Sequence, residues 1–539
     1  MPEAPDTAAL RAQAQRWLEA EPDADMRAEL AALVAGSDAD LVERFTGRLQ
    51  FGTAGLRAAV GAGPQRMNRL VVQQAAAGLV DYLLATDPEA ARRGVIIGYD
   101  ARRKSDAFAL DTARVCAAKG VRAMLFDGVV PTPVLAWSIT ETDAAAGVMV
   151  TASHNPPADN GYKVYLDTGC QIVPPADSDI AAAIDRVDPC AVELAPGDHP
   201  LIERLGRSHV QAYLASVPGV RLVREVEPVR VAYTAMHGVG GATLMAAFEK
   251  AGLPAPRVVE RQQQPDGSFP TVSFPNPEEP GALDLLMEEA ARADAAIALA
   301  NDPDADRLGA AIPTREGGWR RLGGDEIGWL MADHILRHTE GDDRLVVTTL
   351  VSSSLLGRMA TAHGVTCKET FTGFKWIGHT VLQHPELSFV FGYEQALGYL
   401  VCGQPLDKDG ITAAVMMAEI AACAAAEGLT VQDRLDALVA QYGRHVMAEK
   451  SIRMAPAEGA ALVARLRAEP PAEVGGHAVT SVEWFPEAGL LRLQLGDAVR
   501  LQVRPSGTEP KVKLYGEGID FDPSPLLEAL TDTFSRSGS

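Results

Sequence analysis

Short apolar segments of strand length recur along this chain and alternate with segments of helical periodicity. The first group includes residues 95–98, 124–126 and 146–150. Apolar strands that alternate with helices are typical of a parallel or mixed sheet covered by helices. The alternation restarts at 229–233 and again at 345–349. The sequence therefore predicts three successive α/β units, which limits the fold class to α/β.

The last part of the chain has a different pattern of predicted elements. After about residue 435 the strands are shorter, as at 490–495 and 499–503, and acidic turns separate them. This pattern indicates a smaller α+β domain, and 539 residues exceed what one hydrophobic core usually supports. The predicted division is a helical extension at 1–40, α/β domains at 41–204, 205–322 and 323–435, and a C-terminal α+β domain at 436–539.

Composition excludes several classes of protein. The net charge of −22 argues against nucleic acid or an anionic membrane as a partner, because either would need a basic face. Six cysteines without CxxC spacing are typical of reduced thiols, and no signal peptide is evident, so we expect a cytoplasmic protein. The apolar stretch 413–429 contains Glu419 and Glu427, which indicates a packed helix rather than a membrane span. We expect a monomer or a small homo-oligomer.

A serine follows one of the buried strands. Ser153 lies directly after the apolar segment 146–150, and ligands of parallel sheets collect beyond the carboxyl ends of the strands. Pro156 and Pro157 restrict the backbone, so a stiff loop should present the serine. The alternative is a polar turn without function, for which the same residue types are common.

Three aspartates follow another apolar segment, 295–300, at alternate positions. In an extended stretch, Asp302, Asp304 and Asp306 would project to the same side. Converging carboxylates repel one another, whereas a hard divalent cation binds such oxygens. An EF-hand counted from Asp302 would need Gly and Glu where the chain has Arg307 and Pro313. The pattern therefore predicts a metal site of another kind.

The segment 504–513 combines groups that bind phosphate. It contains a guanidinium, two hydroxyls, a glycine and a lysine, at Arg504, Ser506, Thr508, Gly507 and Lys511. A charged hairpin turn is the alternative. Together the three segments predict metal-assisted phosphoryl transfer at a serine, on a substrate that carries another phosphate.

The three segments and four further motifs resemble the α-D-phosphohexomutase superfamily, the phosphoglucomutases and phosphomannomutases. The further motifs lie at 51–57, 98–102, 372–375 and 392–398, and all occur in the family's order over roughly residues 40 to 520. The resemblance implies that the four domains surround a central cleft. It implies an isomerase, an intramolecular phosphotransferase that moves a phosphoryl group between the 1- and 6-positions of glucose or mannose phosphate. A phosphoserine and a bound sugar bisphosphate would be the intermediates.

The same resemblance implies roles for individual residues. Ser153 would carry the phosphoryl group and, with Asp302, Asp304 and Asp306, complete the shell of a Mg²⁺ ion. The residues expected around the reacting oxygens are His154, Lys163, Arg57 and Lys375. The residues expected to bind substrate are Arg307, Glu394 and the phosphate-binding set Arg504, Ser506, Gly507, Thr508 and Lys511. The implied cofactors are Mg²⁺ and a sugar bisphosphate activator, and the partner is a small-molecule sugar phosphate.

One departure leaves the substrate open. Many hexose-specific relatives have Glu-x-Ser in the sugar loop, whereas Ala396 follows Gln395 here. A phosphopentomutase, acting between positions 1 and 5, or a sugar bisphosphate synthase is therefore the alternative to a hexose mutase. A non-catalytic sugar-phosphate sensor would tolerate loss of the nucleophile or the metal ligands, yet all are intact. A phosphatase would need water at the phosphoserine, which a cleft closed by a fourth domain disfavours.

Overall fold

The structure, a computed structural model, describes residues 6–51, 55–505 and 511–536. The chain begins with three helices, α1 (Thr7–Ala20), α2 (Ala24–Ala35) and α3 (Asp38–Phe45). The side chains of Asp6 and Ser37 accept hydrogen bonds from main-chain N–H groups at the starts of α1 and α3. The apolar faces of the three helices pack into the core of the domain that follows.

The first α/β domain is built on a six-stranded mixed sheet of order β1-β5-β4-β2-β3-β6. Its strands are β1 (Leu56–Ala59), β2 (Val95–Tyr99), β3 (Ala123–Phe126), β4 (Ala146–Val150), β5 (Asp159–Leu166) and β6 (Ile202–Leu205). Its helices are α4 (Arg69–Thr86), α5 (Ala90–Arg93), α6 (Ser105–Ala118), α7 (Thr132–Glu141) and α8 (Ala176–Asp185). Strand β5 runs antiparallel to β4, so the chain turns back immediately after Ser153.

The second domain has a five-stranded sheet of order β11-β10-β9-β7-β8. Its strands are β7 (Val231–Thr234), β8 (Arg257–Val258), β9 (Ile297–Asn301), β10 (Leu308–Pro313) and β11 (Trp319–Arg321). Its helices are α9 (Arg207–Ser216), α10 (Gly240–Lys250) and α11 (Asp284–Arg292). Strands β7, β8 and β9 are parallel, and β10 pairs antiparallel with β9 across the turn that contains the three aspartates.

The third domain has a four-stranded sheet of order β13-β12-β14-β15. Its strands are β12 (Arg344–Thr349), β13 (Thr366–Thr370), β14 (Ser388–Glu394) and β15 (Gly398–Leu400). Its helices are α12 (Gly324–His338), α13 (Leu355–Ala362), α14 (Phe374–Gln383), α15 (Gly410–Ala426) and α16 (Val431–Tyr442). In the described ranges, no single helix is long and apolar enough to cross a membrane; α15 and α16 would pass that test only as a pair, and they meet at an 85° bend.

The C-terminal domain is antiparallel. Its sheet has the order β16-β22-β21-β20-β19, and a separate hairpin joins β17 to β18. The strands are β16 (His445–Arg453), β17 (Glu473–Val474), β18 (His477–Ala478), β19 (Ser481–Phe485), β20 (Leu490–Leu495), β21 (Val499–Pro505) and β22 (Lys511–Ile519), and the helices are α17 (Pro456–Ala468) and α18 (Ser524–Arg536). The prediction of three α/β domains with mixed sheets and a smaller α+β domain is therefore confirmed.

Candidate active site

Ser153 lies three residues beyond the end of β4, in a turn that departs from ordinary backbone geometry. Its φ of +51° is in the left-handed region, which residues other than glycine seldom occupy. Its Oγ donates a hydrogen bond to Oδ2 of Asp302 over 2.7 Å and lies 3.1 Å from Nδ1 of His154. The nucleophile predicted from the first domain therefore directly contacts the metal loop predicted from the second.

A buried network holds the serine turn. The main-chain N–H of Ser153 donates to Oγ1 of Thr151 over 2.8 Å, and Thr151 Oγ1 donates to Oδ2 of Asp100 over 2.6 Å. Nη2 of Arg102 donates to the carbonyl oxygens of Ser153 and Asn155 over 2.6 and 2.5 Å. Asp100 and Arg102 belong to the motif at 98–102, for which the sequence predicts no role. Its signal was an Asp-x-Arg sequence directly after a buried strand.

The three aspartates converge, although not in the way the sequence predicted. Strand β9 ends at Asn301, and a turn with left-handed Ala305 (φ +58°), rather than an extended stretch, brings the carboxylates together. One oxygen from each of the buried side chains of Asp302, Asp304 and Asp306 lies within 4.8 Å of the other two. The three carboxylates converge as predicted, but a turn brings them together instead of an extended strand.

Buried lysines offset the charge of this cluster. Lys163, on β5 of the first domain, donates from Nζ to Oδ2 of Asp304 over 2.7 Å and to Oδ2 of Asp306 over 2.8 Å. Lys408 of the third domain lies 3.5 Å from Asp306 Oδ2. Burial opposes ionisation of these carboxyls, yet Lys163 holds the pKa of Asp304 and, with Lys408, that of Asp306 below the ordinary value. Burial and the two neighbouring carboxylates raise the pKa of Asp302.

Two oxygen atoms of the cluster have unused capacity for a cation. Oδ1 of Asp304 and Oδ1 of Asp306 are buried and accept no hydrogen bond. An unsatisfied buried carboxylate oxygen is costly, and three carboxylates within reach of one point are the oxygen donors that a hard divalent ion prefers. The described residues therefore fit a metal site at this turn.

Arg307 and Glu394 lie beside the cluster. The main-chain N–H of Arg307 donates to Oδ1 of Asp302 over 3.0 Å. The guanidinium of Arg307 lies 3.6 Å from Oε2 of Glu278, and its buried Nε has no hydrogen-bond partner. Arg307 also forms a β-bridge with Gly398, which joins the second domain to the third. Glu394, at the end of β14, is buried, and burial raises its pKa against the opposing effect of Lys408 and Arg307.

Lys408 belongs to the site, although the sequence did not predict it. Its ammonium group lies 3.6 Å from Oδ1 of Asp407 and 5.5 Å from the ring centroid of Phe374. A Cβ atom at Gly398 would lie 2.5 Å from Cδ of Lys408, so the glycine leaves the space through which the lysine reaches Asp306. The only local signal was a lysine between two aspartates at 407–409.

Arg57 and Lys375 occupy more peripheral positions. Arg57 on β1 donates from Nη1 to Oδ1 of Asn155 over 3.0 Å and so contacts the serine turn. Lys375, at the start of α14, donates from Nζ to the carbonyl oxygen of Ile172 over 3.1 Å and lies 5.5 Å from the Trp376 ring centroid. Burial lowers the pKa of Lys375.

The predicted phosphate-binding segment joins two neighbouring strands. Arg504 lies near the end of β21 and pairs with Lys513, and Lys511 begins β22. The segment between the strands lies outside the described residues, and with it the predicted Ser506, Gly507 and Thr508. The two predicted residues that are described therefore flank one hairpin connection of the C-terminal sheet.

The predicted residues fall into three groups by their contacts. Those in direct contact around the serine and the metal loop are Ser153, His154, Lys163, Asp302, Asp304 and Asp306. Arg307, Glu394 and Arg57 lie beside this group, whereas the side-chain contacts described for Lys375 are with Ile172 and Trp376. The group thus offers a hydroxyl beside a cation site, with positive side chains from the first three domains.

Comparison with known proteins agrees with this arrangement. The four domain models of the phosphoglucomutase/phosphomannomutase family match residues 48–189 (alpha/beta/alpha domain I), 211–317 (domain II), 323–442 (domain III) and 452–522 (C-terminal domain). A probable phosphomannomutase of Haemophilus influenzae is 42% identical over 86% of this chain and 96% of its own length. A probable phosphoribomutase of Schizosaccharomyces pombe is 36% identical over 93% of this chain and 92% of its own length.

Among solved structures, a putative phosphomannomutase from Thermus thermophilus superposes with a TM-score of 0.71 at 23% identity, over 91% of this chain and 99% of that one. At that identity the superposition shows the shared fold. The matches to all four family domains extend over most of the chain. The chain therefore belongs to the phosphoglucomutase/phosphomannomutase family, within the α-D-phosphohexomutase superfamily.

Proposed function

We propose that this protein is a phosphosugar mutase that moves a phosphoryl group between the 1- and 6-positions of a hexose phosphate through a phosphoserine at Ser153. The observation that carries the proposal is the 2.7 Å hydrogen bond between Ser153 Oγ and Asp302, inside a cluster of buried carboxylates. A structural serine would not need three aspartates and two lysines from other segments beside its hydroxyl. A group-transfer nucleophile would need such a cluster to bind its activating ion.

The chemistry consists of two transfers at one oxygen. In the first, a hydroxyl oxygen of the sugar monophosphate bonds to the phosphorus of phosphoserine, and the bond from phosphorus to Ser153 Oγ breaks. The resulting bisphosphate turns round within the site. In the second transfer, Ser153 Oγ bonds to the phosphorus of the other phosphate, and that phosphate leaves the sugar oxygen.

The metal site takes Mg²⁺ in this proposal. Asp302, Asp304 and Asp306 would hold it, and when bound it would neutralise charge on the transferring phosphoryl group. Lys163 keeps Asp304 ionised, and Lys163 and Lys408 together keep Asp306 ionised. Although burial opposes it, contact with Asp304 and Asp306 raises the pKa of Lys163. We therefore assign Lys163 to charge compensation rather than to proton abstraction.

His154 is placed to exchange a proton with Ser153. Burial, together with the charges of Arg307 and Arg57, lowers the pKa of His154 well below its ordinary value, so the imidazole is neutral at pH 7. Its Nδ1 lies 3.1 Å from Ser153 Oγ. In the first transfer the neutral ring accepts the proton of the attacking sugar hydroxyl and passes it to Oγ as Oγ leaves phosphorus. In the second transfer it accepts the proton of Oγ and passes it to the sugar oxygen that phosphorus leaves. Arg57 and Arg307 then stabilise the extra negative charge of the phosphoserine.

Substrate recognition falls to the third and fourth domains. Glu394 would accept hydrogen bonds from sugar hydroxyls. The set Arg504, Ser506, Gly507, Thr508 and Lys511 would hold the phosphate that is not being transferred. Gln395 contributes through the fold of the loop, because its side-chain oxygen accepts hydrogen bonds from Ser352 over 2.8 Å and from Thr349 over 3.3 Å.

Hexose phosphate is the first choice of substrate, and pentose phosphate is the second. The greater identity to a probable phosphomannomutase favours the hexose, whereas Ala396 and the similarity to a probable phosphoribomutase favour the pentose. The net charge of −22 and the free cysteines suit a cytoplasmic enzyme of a small anionic metabolite.

An activity panel separates these functions. Glucose, mannose, glucosamine, ribose and deoxyribose 1-phosphates would each be incubated with enzyme, Mg²⁺ and the matching bisphosphate, and products followed by ³¹P NMR. Isomerised sugar phosphate identifies a mutase and its substrate. Free phosphate in place of isomer would identify a phosphatase, and accumulating bisphosphate a bisphosphate synthase; either result would overturn the proposal.

A further inference from the structure

Arg102 fixes the main chain of the serine turn. Its side chain is 1% exposed. It donates hydrogen bonds to four carbonyl oxygens, those of Ser153 (2.6 Å), Asn155 (2.5 Å), Pro156 (2.7 Å) and Asp159 (3.0 Å). Because the guanidinium is a rigid planar donor, these bonds fix both the place and the direction of the turn. The position of Ser153 therefore depends on the position of Arg102.

Arg102 belongs to the turn 100–104, which joins β2 to α6. The last residue of this turn, Lys104, has a φ of +66°, a left-handed conformation that residues with a side chain rarely adopt. Such a conformation persists where surrounding contacts enforce it. The turn is thus held in place by something outside itself.

Asn160 Nδ2 donates to the Arg103 carbonyl oxygen over 3.0 Å, and further contacts that hold the turn come from the start of α2. Nζ of Lys104 lies 2.6 Å from Oδ2 of Asp23 and 3.1 Å from Oδ1 of Asp25, and Nη2 of Arg103 lies 2.7 Å from Oδ2 of Asp25. The side chains of Lys104 and Asp23 are only 15% and 17% exposed. Solvent and salt screen such a pair less than a surface ion pair. Asp23 is therefore more firmly placed than Asp25, whose side chain is 49% exposed.

Asp23 is itself anchored to the first domain. It precedes α2, and the helices on either side of it bury Trp17, Met26 and Leu30 in the core shared with that domain. Nη1 of Arg69, which also binds buried Asp111, lies 3.3 Å from Oδ1 of Asp23. The carboxylate therefore cannot follow Lys104 if the turn relaxes.

We propose that Asp23 is a positioning residue for Ser153: it holds Lys104 in its left-handed conformation, and the turn then holds Arg102 against the carbonyl groups of the serine turn. The support comes from residues before position 48, where the match to the first family domain begins. The catalytic consequence rests on the proposed function, in which Ser153 carries the phosphoryl group.

The test is Asp23→Asn, measured in two independent ways. Hydrogen exchange of the peptide spanning 151–157, followed by mass spectrometry, reports the serine turn whether or not the enzyme is a mutase. We expect about tenfold faster exchange there, and about tenfold lower kcat with KM changed less than about twofold, because the loss falls on positioning. A protein without mutase activity would refute the proposed function, and the exchange data would still decide the positioning role.

The matched control is Asp188→Asn. Asp188 pairs with Arg16 over 2.6 Å and so also joins the N-terminal helices to the first domain, but without contact to the turn 100–104. It should leave exchange at 151–157 and kcat unchanged. Equal effects in both variants would show that Asp23 acts only through general attachment of the helices, and would overturn the proposal.

A rescue variant tests the route through Lys104. Glycine adopts positive φ without a side-chain penalty, so Lys104→Gly added to Asp23→Asn should recover most of the lost exchange protection and kcat. Absence of rescue, or unchanged exchange in Asp23→Asn, would overturn the proposal. If Asp23→Asn does not fold, Lys104→Ala breaks the same contact. It should also speed exchange at 151–157 and lower kcat, and unchanged exchange there would overturn the proposal.

Discussion

Lys163 and Asp304 form a fully buried ion pair between two domains, with Nζ 2.7 Å from Oδ2 and side chains 5% and 0% exposed. The pair joins β5 of the first domain to the metal turn of the second. Removing one partner of such a pair leaves an uncompensated charge in the interior. The cluster therefore needs Lys163 for stability.

Replacement of Lys163 by methionine should lower stability markedly. The variant leaves Asp304 and Asp306 without their shared donor, at a cost of about 3–5 kcal/mol in the free energy of unfolding. Thermal unfolding with and without Mg²⁺ measures this, and added Mg²⁺ should restore part of the loss. Lys119→Met, which removes the exposed partner of Asp81, is the control and should cost less than about 1 kcal/mol. Equal losses in the two variants would contradict the assigned charge compensation.

Asp304→Asn should abolish metal-dependent turnover. Its Oδ1 is buried without a hydrogen-bond partner, which makes it an available ligand oxygen, and an amide is a weaker donor to a hard cation. We expect at least about a hundredfold loss of kcat at saturating Mg²⁺, since the ion offsets the charge of the transferring group. Asp143→Asn, at an exposed position, should behave as the wild type. An unchanged rate and Mg²⁺ dependence in Asp304→Asn would place the metal elsewhere.

Arg504→Ala should weaken substrate binding more than phosphorylation of the enzyme. Arg504 lies beside the predicted phosphate-binding segment, and it would hold the phosphate that is not transferred. KM for the sugar monophosphate should rise by about tenfold or more, from the loss of a charged hydrogen bond worth about 1.5–3 kcal/mol. Steady-state kinetics measures this. An unchanged KM would assign Arg504 to the structure of the C-terminal sheet.

Glu517 should make the contact between the third and fourth domains sensitive to acid. It accepts hydrogen bonds from His445 Nδ1 (2.8 Å) and Ser353 Oγ (2.7 Å), and Arg500 Nη2 lies 2.7 Å away. Burial opposes its charge, but His445, Arg500 and Ser353 lower its pKa from 4.5 to about 2. Because the pKa of Glu517 is lower in the folded protein than in the unfolded protein, its charge stabilises the fold at pH values above the unfolded-state pKa. This stability is lost as the pH falls toward the folded-state pKa. The loss of about 3 kcal/mol should thus occur between about pH 5 and 2.

Urea unfolding of wild type and Glu517→Gln from pH 7 to pH 3 measures this effect. The variant should be less stable at pH 7, and the gap should narrow as the pH falls. Glu386→Gln, at an exposed carboxyl, is the control. A constant gap between wild type and Glu517→Gln across this range would contradict the assignment.

The sequence predicted those parts of the site that directly follow a buried strand along the chain. Ser153 and the three aspartates each follow a buried strand within a few residues, so the pattern of apolar strands located both segments. The sequence did not predict the left-handed backbone at Ser153 and Ala305, because no glycine marks either position. The aspartates consequently converge through a turn instead of along a strand.

The parts that could not be predicted are contacts between distant segments. Lys408 reaches Asp306 only because β15 and the segment after it pack against the metal turn, with Gly398 leaving the space. Neither residue has a local pattern that specifies this contact. Arg102 is similar, since its four carbonyl partners lie more than fifty residues along the chain. The resemblance implied a place for Lys163 near the reacting oxygens, and the structure adds its two carboxylate partners.

Ser153 should cycle through a phosphorylated state, and this prediction distinguishes a mutase from a sensor. A phosphate on Oγ adds about −1.5 to −2 charges at neutral pH, and Arg57, Arg307 and the metal site are placed to offset them. Intact-protein mass spectrometry should find a fraction with one added phosphate, mapped to Ser153 after digestion. Excess sugar monophosphate should deplete that fraction while bisphosphate forms. Ser153→Ala should bind sugar phosphate without isomerising it. The control Ser138→Ala removes a helix hydroxyl that donates to the Val134 carbonyl oxygen, and it should retain both the phosphorylation and the activity. Full activity in Ser153→Ala, or radiolabel from the bisphosphate that never enters the protein during turnover, would exclude the phosphoserine relay.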